Sequence, residues 1–180
     1  KGVAGCVTFI NLEGTGPFLF EIQALVDKSM LPNPKRLTVG TDAQRLTMLL
    51  AILHRHVTLS TYDQDVFLNA VGGIKINETA SDLAVLIAIV SSMTNQAVSS
   101  KTAIFGEVGL GGEIRPVSRG QERIKEASKL GFKRIIVPLK NKASDIPDVE
   151  IIGVDNLRDA VKVVFGSNRV KNDEQIYPDE

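Results

Sequence analysis

Few side chains in this 180-residue sequence are of the kinds that ligate metals or move protons, and their spacing argues against both roles. Cys6 is the only cysteine, so no internal disulfide forms, and His54 and His56 are the only imidazoles. Positions i and i+2 of a helix diverge by about 200°, so His54 and His56 do not grip one ion. With a single thiol, a structural zinc site is not expected. Asp63, Asp65 and Glu78 stand at no spacing that pairs carboxylates for acid–base work. The pattern G-x-x-x-x-G-K-[ST] is missing, so the usual loop for nucleotide phosphates is not encoded here. The run Gly106-Glu107-Val108-Gly109-Leu110-Gly111-Gly112 lacks dinucleotide-site spacing and suits a hairpin turn instead.

The elements that would position any site come from one globular unit. Hydrophobic residues make up 43% of the chain and charged residues 23%, the balance of an ordinary folded domain. Lys plus Arg equals Asp plus Glu at 21 each, which excludes a blanket of positive charge; a nucleic-acid role then requires local clustering. The longest apolar run, Leu83 to Val90, falls far short of the ~20 residues that span a bilayer. No charged-then-apolar leader is visible, which points to the cytoplasm and away from the membrane. The sequence opens at Lys1 and its first methionine is Met30, so it reads as a fragment or a processed chain. Residues 1–166 are expected to form the domain, and the polar residues 167–180 a mobile tail.

Within the domain, Val3 to Ile10 predicts a first strand and the alternating Phe18 to Val26 a second, joined as a hairpin through Glu13-Gly14-Thr15-Gly16-Pro17. A short strand follows at Leu37 to Val39. Thr41-Asp42-Ala43-Gln44 reads as a capping box, and Leu46, Leu49, Leu50 and Leu53 form one buried helical stripe. Met48 and Ile52 fall on another face of that helix, between Arg45 and Arg55, and are the candidate subunit-interface residues. Asp65 to Ile76 predicts a strand bent at Gly72-Gly73. Thr79-Ala80-Ser81-Asp82 reads as a second capping box before Leu83 to Met93, which is apolar almost all round and must be the buried central helix. Thr102 to Val108 and Glu113 to Val117 predict two strands. Arg119 to Leu130 predicts a polar helix with Ile124, Ala127 and Leu130 inward, stopped by Gly131. Arg134 to Pro138 and Ile151 to Val154 predict strands, and Asn156 caps a last helix. The mixture predicts a two-layer α+β domain with mixed strands and about four helices.

From Gly72 to Pro138 the order and wording of the chain resemble the proteolytic domain of the Lon protease family. The carriers are the strand Ala103-Ile104-Phe105-Gly106-Glu107-Val108, then Gly112-Glu113-Ile114-Arg115-Pro116-Val117 and a helix. The resemblance implies a Lon-type, ribosomal-protein-domain-2-like fold. In that family a serine enters the buried helix and a lysine of lowered pKa takes its proton. Residue by residue, the serine position falls on Ala80 and the lysine position on Gln121, so the resemblance implies a protease fold without catalytic residues, and no enzyme in this chain. Two alternatives stand beside it: a Ser/Lys peptidase with a shifted dyad of Ser81 and Lys125 or Lys75, and an oligomerisation clamp that touches no nucleic acid.

Several phrases are more specific. Glu21-Ile22-Gln23-Ala24-Leu25-Val26, Leu50-Ala51-Ile52-Leu53-His54-Arg55-His56, Asp65-Val66-Phe67-Leu68-Asn69-Ala70-Val71-Gly72-Gly73 and Gly120-Gln121-Glu122-Arg123-Ile124 resemble the C-terminal Lon-protease-like domain of the bacterial RadA (Sms) family. That resemblance runs from about Gly5 to Phe165. It implies a DNA recombination and repair protein in which a zinc finger and a RecA-like ATPase precede this domain, with ATP, magnesium and zinc belonging to those parts and no cofactor to this one. It further implies a hexameric ring, a branch-migration motor on single-stranded DNA and the recombinase RecA as partner. In a ring, one small basic cluster per subunit makes a strong field despite zero net charge. The candidate nucleic-acid contacts are Lys35, Arg36, Arg45 and Arg55, and Arg115, Arg119 and Arg123 around Pro116. There is no tryptophan, so backbone contact suits the chain better than base stacking.

Overall fold

A computed structural model of the chain describes residues 2–13, 16–71 and 78–166. Its centre is the helix α2 (Asp82–Thr94), whose residues from Leu83 to Val90 are all buried. A helix without a wettable face must be wrapped on every side. Below it lies the hairpin of β1 (Cys6–Glu13) and β2 (Gly16–Lys28), paired antiparallel with Phe9 opposite Phe20 and Val7 opposite Ile22. The first strand thus starts at Cys6 rather than Val3, after a turn in which Cys6 N–H bonds to Val3 C=O.

Around that hairpin the chain builds a seven-stranded mixed sheet. β3 (Arg36–Val39) and β4 (Gln64–Ala70) extend it on the β2 side; β5 (Thr102–Ile104), β8 (Arg134–Pro138) and β9 (Glu150–Val154) extend it from β1, in the order β3-β4-β2-β1-β5-β8-β9. The β1–β2 and β2–β4 pairs are antiparallel and the other pairs parallel. The helix α1 (Ala43–Val57) packs on β3, on α2 and on α4 (Leu157–Phe165), so three helices share one face of the sheet. Four α-helices in all, counting α3 (Gly120–Lys129), agree with the α+β architecture expected, among the described residues.

The layering changes along the sheet. Ala103 and Ile135 share the cross-strand row of Thr8, on the face away from α2, and are nonetheless fully buried. α3 covers them, packing on β1 and β8 as a third layer. Over β2, β4 and β3 no helix among the described residues takes that place, and buried and exposed residues alternate as in a sheet wet on one side.

Local details depart from the sequence reading for identifiable reasons. Asp42, not Thr41, caps α1, its carboxylate accepting from the N–H groups of Gln44 and Arg45. The strand expected over 102–108 breaks at Gly106. β5 stays in the main sheet, whereas β6 (Glu107–Val108) pairs with β7 (Ile114–Arg115) as a separate hairpin. Leu130 is exposed rather than inward, because the helix ends there and Phe132 takes the buried position. The bend at Gly72-Gly73 and the tail 167–180 lie outside the described residues. No helix among the described residues is long and apolar enough to cross a membrane.

Replacing Leu86 by alanine in α2 should cost about 3–5 kcal/mol, because the fully buried site leaves a cavity. Leu25→Ala, on the open face, should stay within about 1 kcal/mol. Urea unfolding of both variants measures the difference, and equal losses would contradict this account of the core.

Candidate functional site

The residues expected to carry chemistry meet where α2 begins. A turn of 3₁₀ helix at Thr79–Ser81 leads into α2, and the two are stitched to Gly106, between β5 and β6, by Gly106 N–H to Ala80 C=O (2.8 Å) and Leu83 N–H to Gly106 C=O (3.0 Å). Neither Thr79 nor Ser81 caps the helix by its side chain, which corrects the capping-box reading. The Ser81 hydroxyl instead donates to Glu78 C=O at 2.8 Å. Asp82 is buried and faces inward. Its carboxylate accepts from Arg45 Nε at 3.1 Å, from a second Arg45 nitrogen, and from Val108 N–H at 3.0 Å. Burial pushes the Asp82 carboxyl up, while Arg45 and the Val108 N–H oppose that shift; the hydrogen bond to Asp82 raises Arg45 in turn. Arg45 also donates to Val108 C=O at 3.1 Å, so this ion pair ties α1 and α2 to the β6–β7 hairpin.

A second buried pair lies beside it. Arg123 on α3 is 1% exposed and pairs with Glu78. It donates further to Ile10 C=O at 2.8 Å and Ser118 C=O at 3.2 Å, and its guanidinium sits 5.8 Å from the Phe105 ring centre. With these partners its charge is spent inside the fold. The cleft between α1 and the start of α2 measures about 110 Å³ and is lined by Thr41, Arg45, Leu49, Leu68, Ser81 and Asp82 among others. No lysine or histidine lines it among the described residues. Ala80 is buried, while Gln121 and Lys125 are exposed on α3, and Lys75 lies outside the described residues. Among the described residues the cleft thus sets the Ser81 hydroxyl beside the Arg45–Asp82 pair, with neither Gln121 nor Lys125 in its lining.

The seven basic candidates separate into three groups. Arg36, Arg45 and Arg123 are committed to internal partners; Arg36 donates to Thr61 C=O at 2.7 Å and also to Gln64 C=O. Arg115 and Arg119 are exposed in surface pairs, with Glu113 at 3.5 Å and Glu122 at 2.7 Å, which solvent weakens and a phosphate can displace. The Arg119 hydrogen bond holds the Glu122 carboxyl below its usual range. Lys35 and Arg55 are exposed without an ion pair among the described residues. The first cluster does not converge, since Arg55 lies about 15 Å along α1 from Arg45. Of the two interface candidates, Ile52 is buried in the core and only Met48 is exposed.

One basic neighbour was missed. Arg158, exposed in the first turn of α4, donates to His56 C=O at 3.3 Å, and the His56 ring Nε2 bonds Leu110 C=O at 2.8 Å. The glycine-rich turn needs its glycine here: Gly112 has φ +78°, and a Cβ would come 2.8 Å from the His56 ring. Arg55 and Arg158 are thereby gathered with the hairpin that carries Arg115. No local signal joins residues 102 positions apart; the tertiary packing alone does so.

A mixed α+β domain with a sealed helix-entry site is what this chain presents, and it belongs to the family described as subunit ChlI of Mg-chelatase, which matches residues 47–141. Within that frame it is similar to DNA repair protein RadA of Pseudomonas aeruginosa, 54% identical over 166 residues that cover 92% of this chain and 37% of the relative. It is 53% identical to DNA repair protein RadA of Escherichia coli K12 over 161 residues, 89% of this chain and 35% of the relative. To that of Bacillus subtilis it is 42% identical over 167 residues, 92% of this chain and 36% of the relative. The chain spans a little over a third of the length of the curated relatives it matches, and the RadA resemblance read from its residues is borne out.

Asp82→Ala should destabilise the domain by about 3 kcal/mol, the lower end for breaking a buried pair because Arg45 keeps some contact with water. Glu113→Ala, which removes a surface pair, should change stability by less than about 1 kcal/mol. Denaturant midpoints of the two variants check the contrast.

Proposed function

We propose that this chain is the non-proteolytic, Lon-like scaffold domain of a RadA-type DNA repair ATPase, supporting ring assembly and contact with single-stranded DNA. The observation that carries the reading is the 54% identity to DNA repair protein RadA along 92% of the chain, in a sequence whose Lon serine and lysine positions are Ala80 and Gln121. ATP, magnesium and zinc would belong to the remainder of the longer protein, which acts in the cytoplasm with RecA as its recombinase partner and a hexameric ring as its working form.

The DNA contact in this reading is made by exposed charge. Lys35, Arg55, Arg115 and Arg119 remain available from the sequence candidates, and Arg158 joins them. The committed side chains Arg36, Arg45 and Arg123 support the scaffold instead. Contact of this kind reads the phosphate backbone without choosing sequence. Its affinity falls with salt by a slope of about −0.7 per phosphate neutralised, multiplied by every subunit engaged.

Fluorescence anisotropy of a labelled single-stranded oligonucleotide tests the proposal. Binding should be salt-sensitive and should weaken about tenfold or more when Arg55, Arg115 and Arg158 are replaced together by glutamate, each pair of charges being worth a fraction of that. Absence of binding by an assembled chain would leave an assembly clamp and remove DNA contact from this domain. Ser81 should not react with a fluorophosphonate probe; labelling lost in Ser81→Ala would overturn the non-proteolytic part.

A further inference from the structure

The turn between β6 and β7 is filled by one of its own side chains. Its backbone is fixed: Gly109 N–H bonds Glu113 C=O at 2.9 Å, Gly112 N–H bonds Gly109 C=O at 2.9 Å, and Ile114 N–H bonds Asp155 C=O at 2.8 Å. Those bonds leave the N–H groups of Gly111 and Glu113 to another acceptor, the Glu113 carboxylate, which folds back over the turn. The three atoms nearest to a Cβ built on Gly109 all belong to that carboxyl group, and a Cβ on Gly111 would come 3.0 Å from one of its oxygens. The two glycines thus leave a seat open, and the carboxylate occupies it. Arg115 reaches the same carboxylate at 3.5 Å. The Glu113 N–H, with Arg115 and the Gly111 N–H, holds the carboxyl below its usual range.

We propose that this turn is a seat for one phosphate group of a nucleic-acid strand, and that Glu113 is its resident occupant, which the phosphate displaces. The inference deepens the DNA contact proposed above and rests on it. A carboxylate and a phosphate make the same demand on a site: charged oxygens that accept from N–H groups. A turn that holds the one therefore fits the other. Its donors are two backbone N–H groups on a fixed turn and one guanidinium, so little ordering is needed when a ligand arrives. The neighbouring carboxylates do not take the seat. Glu107 opposes Arg115 across the hairpin and enters no ion pair among the described residues. Asp155 and Asp159 accept from the Asn156 side-chain amide. The consequence is a local brake on binding. With Glu113 in place one guanidinium faces one carboxylate, and a strand gains only what exceeds the contact it displaces. With the carboxylate gone, the same seat offers a positive charge and two N–H groups to the phosphate.

Two measurements on the chain test this. Glu113→Ala vacates the seat, and affinity for a labelled single-stranded oligonucleotide, read by fluorescence anisotropy, should rise about threefold, the fold-change that an exposed ion pair commands. Gly109→Ala added to that variant should take the gain back, because its methyl group fills the seat. Gly109 lies outside the left-handed region, and in this background the methyl group enters space that Glu113 has left. Denaturant midpoints of both variants should stay close to that of the parent. A gain that persists with Gly109→Ala would reduce Glu113 to a repelling charge and overturn the seat; no gain with Glu113→Ala would overturn the displacement. The amide NMR signal of Gly111 in Glu113→Ala separates the two sources of phosphate. It should shift on adding the oligonucleotide and, at far higher concentration, on adding inorganic phosphate. A shift with inorganic phosphate and none with the oligonucleotide would overturn the assignment to a strand. Oligonucleotide binding that Glu113→Ala leaves unchanged would leave the DNA reading standing without this seat, so the two proposals fail separately.

Discussion

The structure depends on one constraint: α2 has no polar side to give to water. Every residue from Leu83 to Val90 is buried, so the sheet lies beneath this helix and α1 and α4 flank it. Burial on that scale drives the fold through water released from apolar surface, with each large side chain contributing about 1.5–3 kcal/mol. It also fixes what can happen at the helix entrance. Asp82, one residue before the apolar run, is drawn into the interior with it and must find cationic and N–H partners there. Arg45 and Val108 supply them, and α1 and the β6–β7 hairpin are anchored as a result.

The same accounting governs the arginines. A chain with equal numbers of cations and anions has little charge to spare for a polyanion, and the fold draws on it further. Arg36, Arg45 and Arg123 satisfy carbonyls and carboxylates that would otherwise be left unpaired around the helix entrance and the β3 edge. Lys35, Arg55, Arg115, Arg119 and Arg158 stay exposed, with Arg55, Arg115 and Arg158 carried on the end of α1, the β6–β7 hairpin and the start of α4. Among the described residues the only cation lining the cleft beside Ser81 is Arg45, fixed by Asp82, while Arg123 holds Glu78 from the side of α3. A permanently charged guanidinium does not take a proton at neutral pH.

Layering divides the molecule into a sealed half and an open half. Over β1, β5 and β8 the sheet is covered on both sides, and Ile135, Ile136 and Val137 form an unbroken buried run. Over β2, β4 and β3 the alternation of buried and exposed residues leaves Leu25 and Leu37 in water. α3 is ten residues long and packs on β1 and β8, so it reaches only part of the sheet.

Periodicity alone determined the central helix, the leucine stripe of α1, the β1–β2 hairpin and the α+β class, because burial imposes a repeat of 3.6 or 2 on consecutive residues. The wording of the chain likewise carried its kinship with RadA, since runs such as residues 65–73 and 105–117 are continuous in sequence. The fates of the charged residues were not legible in that way. Arg123 looks like any surface arginine of a polar helix until β1 and the Glu78 turn close around it, and Asp82 looks like a cap until Arg45, 37 positions away, reaches it. Ile52 reads as part of a second surface patch beside Met48 and is core because α1 is covered over a wider arc than its leucine stripe. Arg158 meets His56 only after the chain has returned from β9. A periodic pattern records which way a side chain faces its own element; which element then covers it, and which charge it meets, is set by long-range packing, and tertiary structure alone decided those.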